Sequence, residues 1–223
     1  MDYTLQFGQI TRFLPGFFAG ALISLSLAAM AFAGGLLIGL AGAALKTYGN
    51  PLARRLVGIY VVFFTNTPQL VQIFFLFFVL PDAGVLLSPY SAVLIGMTLN
   101  AGAYLTEIQR AGFLSVRAQE IEAAETIGMS RLQTIRHIVM PHIVRTLFPP
   151  LSNHYISMVL GTSMAAVFGV NELTGKAMSA NAETFRAVEI YLVVGVIYIV
   201  VTLVASALLI LTGRYLLRVR MVL

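Results

Sequence analysis

The sequence predicts an all-α polytopic membrane protein. Three observations carry that prediction. Hydrophobic residues make up 59% of the 223 and charged residues only 10%, where a soluble domain carries about 25% charged residues. Long apolar runs recur along the chain. Between them lies one charged amphipathic stretch, EIEAAETIGMSRLQTIRHIVMP, residues 120–141. This composition leaves no room for a separate soluble catalytic domain, so residues 1–223 read as one transmembrane domain with residues 117–141 as a cytoplasmic segment within it. The chain has no cysteine, which excludes disulfides and thiolate metal sites.

A hydrocarbon core about 30 Å thick needs roughly 20 apolar helical residues. Five stretches meet this requirement. The first is Pro15 to Leu45; no basic region precedes it and it is too long for a signal peptide, so it reads as a retained span. The second is Ala53 to Leu80, broken by Thr65-Asn66-Thr67-Pro68. The third is Tyr90 to Glu107, the fourth Leu147 to Val170 and the fifth Val188 to Thr212. Gly16 and Gly20 are four apart, as are Gly35 and Gly39. That spacing lets helices approach closely, within one subunit or across a subunit interface.

Five spans place the termini on opposite sides. With the N-terminus outside, the inside segments hold Lys46, Arg54, Arg55, Arg110, Arg117, Arg131, Arg136, Arg145, Arg214, Arg218 and Arg220, and the outside holds Arg12, Lys176 and Arg186. Eleven against three fixes the N-terminus outside and the C-terminus in the cytoplasm by the positive-inside rule. The net charge of +5 reflects this topology rather than a nucleic-acid partner.

The charged stretch is therefore cytoplasmic. Residues 117–127 read as a short helix with Glu120, Glu122 and Glu125 toward its positive end. Ile121, Ala124 and Ile127 form a narrow apolar face. Gly128 stands where a helix end favours a left-handed residue. Ser130-Arg131-Leu132-Gln133 is a capping-box pattern that opens a second helix, which Pro141 is expected to limit or kink. A helix lying in the headgroups would carry lysine and arginine on its polar face. This one carries glutamates beside a negative leaflet, so a protein partner is the better reading.

Glu122-Ala123-Ala124, three residues, Gly128, nine residues, Ile138, two residues and Pro141 resemble the EAA motif of ATP-binding-cassette importer permeases. Met140 stands where that family often has leucine. Asn66-Thr67-Pro68-Gln69-Leu70-Val71-Gln72 is similar to the GTPLLVQ stretch of its polar-amino-acid members. NAGAYLTEIQR from Asn100 is similar to SAYxAEIxRGG, and Pro149-Pro150-Leu151-Ser152-Asn153 to PPLGN. The resemblance covers roughly residues 15–215. It implies a type I importer permease fold and a pathway for a polar amino acid or derivative in a bacterial inner membrane, worked by alternating access. It further implies two ATPase subunits that hold ATP and magnesium, a second permease subunit (a copy or a paralogue) and a periplasmic substrate-binding protein. Membrane lipid surrounds such a chain, and no cofactor belongs to it. Glu120, Glu122, Ala123, Ala124, Glu125, Gly128, Ile138 and Pro141 would form its coupling helix against the ATPase.

Polar residues at membrane depth mark candidate pathway positions. They are Asn66, Gln69 and Gln72 near Pro68, Asn100 in the third span, and Asn153, His154, Ser157, Thr162 and Ser163 in the fourth. Interhelical hydrogen bonds are the competing role for Asn153, His154, Thr162 and Ser163. The family commonly reads GNEFIALLKDTSL here, whereas this chain reads SNHYISMVLGTSM: His154 replaces the glutamate and Leu160-Gly161 the Lys-Asp pair. Without that acid, a cationic ligand would need groups from a partner subunit, or the substrate differs. Glu107 and Arg110 are candidates for a cytoplasmic gate or for a surface ion pair.

GVNELTGKAM from Gly169 fails as a phosphate loop because five residues separate its glycines and Ala177 follows Lys176. His137 and His142 are five apart, off the four-residue step of a helical metal pair. No nucleophile, base or metal set points to catalysis. An ATP-independent channel or secondary carrier is the alternative, although only one broken span is visible and carriers often repeat theirs.

Overall fold

A computed structural model describes residues 4–215. Arg218 and Arg220, counted in the charge bias, lie outside the described residues. Short 3-10 turns, Phe7–Gln9 and Thr11–Phe13, lead into α1, Leu14–Tyr48. Helix α2, Pro51–Thr65, begins with Pro51 in its first turn and Asn50 Oδ1 accepting the Ala53 N–H at 2.8 Å. Helix α3, Gln69–Phe74, widens into a π turn, Phe75–Val79, tightens into a 3-10 turn, Leu80–Ala83, and stops at Gly84 with φ 84°. Helix α4 is Pro89–Leu114 and α5 is Ala118–Thr126. Helix α6, Arg131–Thr134, passes through a π turn, Ile135–Val139, into α7, Met140–Gly161. A 3-10 turn, Thr162–Phe168, precedes α8, Leu173–Thr184, and α9, Ala187–Tyr215, follows.

Among the described residues two stretches qualify as spans by length and apolarity, Phe7–Tyr48 and Ala187–Tyr215, and up to four if each of two broken helix pairs counts once. Five were expected. The second span is broken where expected, with α2 ending at Thr65 and α3 starting anew at Gln69 after Pro68, and it counts as a span only if the two helices are taken together. The third is a 26-residue helix, α4, about 39 Å long at roughly 1.5 Å per residue. It is long enough to cross, but Asn100, Thr106 and Gln109 are buried along it and dilute its apolarity. A helix enclosed by protein can carry hydrogen-bonded polar groups that lipid would not accept. The fourth begins earlier than expected: helix continues past Pro141, and Pro149 and Pro150 both lie inside α7.

The described chain divides into two compact units, each built from separated segments. One runs from the N-terminal turns to Ala33, with Thr67–Thr98 and Tyr155–Ala205. Its core gathers Ile10, Phe17, Ala21, Leu173, Ala177, Ile190 and Val194. Gly20 belongs to this packing: a Cβ there would meet Leu173 Cα at 2.9 Å. The other unit comprises Gly34–Asn66, Leu99–His154 and the chain from Ser206. In it α1 lies close against α4, with Cβ positions at Gly35 and Gly39 falling 2.8 Å from Ala101 Cβ and 2.7 Å from Leu105 Cβ. Three of the four glycines therefore serve packing within the subunit, while Gly16 has nothing within 4 Å.

Candidate functional site

The charged segment folds as its capping signals dictate. Helix α5 ends at Thr126; Gly128 then takes φ 81° and its N–H donates to Glu125 O at 2.9 Å, while Met129 N–H donates to Ala124 O at 3.0 Å. These bonds satisfy carbonyls that a helix end otherwise leaves open. Ser130 then caps α6 with both capping-box bonds formed: Ser130 N–H to Gln133 Oε1 at 2.7 Å and Gln133 N–H to Ser130 Oγ at 3.4 Å.

The segment presents a narrow face. Ala124 is buried and Ile121 half-buried, whereas Glu122, Ala123, Glu125 and Gly128 are exposed. Ile127 departs from the expected apolar face: as the C-cap residue it turns outward and is 77% exposed, beside Leu132 at 75%. Ile138 and Pro141 are partly buried. Glu120 points back to α7, where His142 Nδ1 lies 3.9 Å from its Oε2. The arrangement is a turn capped on both sides, carrying carboxylates and two outward aliphatic side chains.

At the end of α4, Glu107 accepts from two cations at once. Its Oε2 takes Arg110 Nη2 at 2.9 Å and Nε at 3.1 Å, and its Oε1 takes Lys46 Nζ from α1. The predicted pair is therefore a three-residue tie between helices, and Lys46 is a member that local spacing could not reveal. Gln109 Nε2, donating to Leu36 O at 3.2 Å, joins the same two helices.

The polar residues of the spans fall in both units. In the unit that contains α3, Gln72 is buried and its Nε2 donates to Thr67 Oγ1 at 2.7 Å and Thr67 O at 3.1 Å, bracing the break at Pro68. Thr162 is buried and donates to Val159 O at 2.7 Å, and Ser163 donates to Leu160 O at 2.9 Å. Gln69 is partly exposed, its Oε1 3.9 Å from a Cβ placed on Gly161. Ser157 is exposed. In the unit that contains α2, Asn66 caps that helix and its Nδ2 donates to Val62 O at 2.8 Å. Asn100 Nδ2 donates to Phe64 O at 3.1 Å, and Asn153 is exposed. The His154 ring lies 5.7 Å from that of Tyr104. Hydrogen bonds to backbone carbonyls thus engage Asn66, Gln72, Asn100, Thr162 and Ser163, and Asn66, Asn153 and Ser157 are exposed while Gln69 is partly so.

Two carboxylates escaped the sequence reading. Glu172 is fully buried. It caps α8 by accepting the Gly175 N–H at 2.8 Å, and it accepts Ser24 Oγ at 2.9 Å and Tyr198 OH at 3.0 Å. Glu189, also fully buried, accepts the Gln6 N–H at 3.0 Å and lies 3.3 Å from Arg186 Nη1. The available signals were a glutamate three residues before Gly175 after a glycine stop, and a glutamate in the first turn of the last apolar helix.

Comparison with known proteins shows the family. Residues 35–215 match the family model described as binding-protein-dependent transport system inner membrane component. The glutamine transport system permease of Escherichia coli K12 is 36% identical over 195 residues, 86% of this chain and 89% of that protein. The L-cystine transport system permease of Bacillus subtilis 168 is 33% identical over 87% of this chain and 83% of its own. A crystal structure of an amino acid ABC transporter with histidines superposes with a TM-score of 0.87 at 30% identity, covering 95% of this chain and 99% of that one. The methionine ABC transporter in an inward-facing form shares the fold, with a TM-score of 0.66 at 15% identity over 89% of this chain and 97% of its own.

Proposed function

The chain belongs to the binding-protein-dependent transport system inner membrane components, as an amino-acid permease subunit of an ATP-binding-cassette importer, and from that premise we propose that α5, the Gly128 turn and α6 form its docking piece for a cytoplasmic ATPase. The observation that carries this reading is the exposed, doubly capped turn with Glu122, Ala123, Glu125 and Gly128 on its surface. Nucleotide binding closes the ATPase pair, the docking pieces move together and the pathway opens outward; hydrolysis resets it. ATP and magnesium belong to the two ATPase subunits, a second permease subunit completes the pathway, and a periplasmic binding protein delivers substrate. The N-terminus lies outside and the C-terminus in the cytoplasm, in keeping with the positive-inside bias.

The substrate is a polar amino acid or amino-acid derivative, as the glutamine, cystine and octopine permeases among its relatives suggest. Asn66, Asn153 and Ser157 are the pathway residues that the exposure pattern favours, with Gln69, Gln72, Asn100, His154, Thr162 and Ser163 supporting them. Glu107 and Arg110, with Lys46, hold the cytoplasmic gate.

Gly128→Pro tests the docking assignment. Proline fixes φ near −65° and cannot take the observed 81°. The variant is expected in the membrane in normal amount, without co-purifying ATPase and without uptake. Retained co-purification and uptake would remove the segment from the coupling role.

A further inference from the structure

Two helices of this chain widen into a π turn, and both do so at the same place relative to a proline. Phe75–Val79 ends two residues before Pro81, and Ile135–Val139 ends two residues before Pro141. The cause is common to both. A proline gives no N–H to the carbonyl four residues back, and its ring crowds that carbonyl. In each case the preceding residue reaches back five positions: Leu80 N–H bonds Phe75 O and Met140 N–H bonds Ile135 O. The wider turn relieves the crowding and lets helix pass the proline.

The two sites then differ. Past Pro81 the helix stops at Gly84, whereas past Pro141 it runs on through the 22 residues of α7. Before the second π turn stands only the four-residue α6, held by its capping box. Both flanks are anchored, by buried Thr134 on one side and on the other by Leu147, whose side chain fills the space beside Gly112. Between the anchors Ile135 is 41% and Met140 50% exposed, so little packing opposes a change of register there.

We propose that the Ile135–Val139 turn is the joint through which motion of the docking piece enters α7, with Pro141 as the residue that holds it in the wide register at rest. Exchanging one residue between π and α register moves the following helix by about 1.5 Å along its axis and turns it by roughly 100°. The inference rests on the docking role of α5 and α6.

Pro141→Ala restores an N–H and permits the regular register. The variant is compared with the native chain in the complete importer, reconstituted in liposomes with its ATPase and binding protein. The expected result, counted per ATPase retained in the complex, is substrate moved per ATP hydrolysed reduced about tenfold, inside the roughly 5–150-fold range of coupling effects. Because the chain has no cysteine, spin labels on cysteines placed at Arg131 and Thr146 give a second readout. Their separation of about 22 Å along a helix is expected to change between nucleotide-free and ATP-bound states in the native chain and to stay constant in Pro141→Ala. A native-like transport-to-ATP ratio in the variant, or a constant distance in the native chain, overturns the joint. If only the variant loses its ATPase, Pro141 belongs to the docking contact and the joint is overturned while docking stands. If the native chain holds no ATPase, the docking reading fails first.

Discussion

Glu172 has no cation beside it among the described contacts, yet it is fully buried. Its carboxylate is sustained by three donors, the Gly175 N–H, Ser24 Oγ and Tyr198 OH. The residue thereby ties α8 to both α1 and α9. Glu172→Ala removes an N-cap worth about 1 kcal/mol and strands buried donors at about 1–3 kcal/mol each. At roughly 2–4 °C per kcal/mol for a chain of this size, a thermal-shift measurement in detergent is expected to show a midpoint lowered by at least about 4 °C. Glu172→Gln keeps the shape and an acceptor oxygen and is expected to lose less. Equal midpoints for native chain and alanine variant would mean that the network carries no stability.

Helix contacts are decided by which glycines face another backbone. Gly16 and Gly39 look alike in sequence, each paired with a glycine four residues away. Their surroundings are opposite: Gly39 meets Leu105, while Gly16 meets nothing within 4 Å. Gly39→Val is expected to cost about 1–3 kcal/mol through overpacking between α1 and α4 and to lower the thermal midpoint. Gly16→Ala is expected to raise it slightly, since alanine exceeds glycine in helix propensity by about 1 kcal/mol. A Gly16→Ala variant that disrupts co-purification of the second permease would place that face in the subunit interface. The same contrast explains why the α4 contacts were illegible in advance: Lys46 reaches Glu107 across 61 residues of sequence, and no local pattern encodes such a meeting.

Orientation and assembly belong to the molecule as a whole. The absence of cysteine allows single cysteines to report sidedness. Gln6→Cys is expected to react with a membrane-impermeant maleimide added to spheroplasts, and Gln119→Cys only after the membrane is opened. The reverse pattern would invert the topology and put α5 on the wrong side for any cytoplasmic partner. Partner composition follows from the tagged chain purified in mild detergent from its host. An ATPase and a second permease in the eluate are expected, and recovery of the chain alone in several detergents would favour an ATP-independent channel or carrier.

Membrane class, the apolar stretches, the capped turn at Gly128 and the capping box at Ser130 were all legible in the chain, because each depends on composition or on residues within a few positions of one another. Tertiary structure alone decided which polar residues brace helices and which offer surface, since Asn100 and Glu172 find their partners on distant segments. It also decided that α4 could dispense with a fully apolar surface, because Asn100 and Gln109 find carbonyls on neighbouring helices and Thr106 one on its own. Pro141 divides between the two. Its missing N–H is written in the sequence, but only the structure shows that one turn widens there and the helix continues into α7.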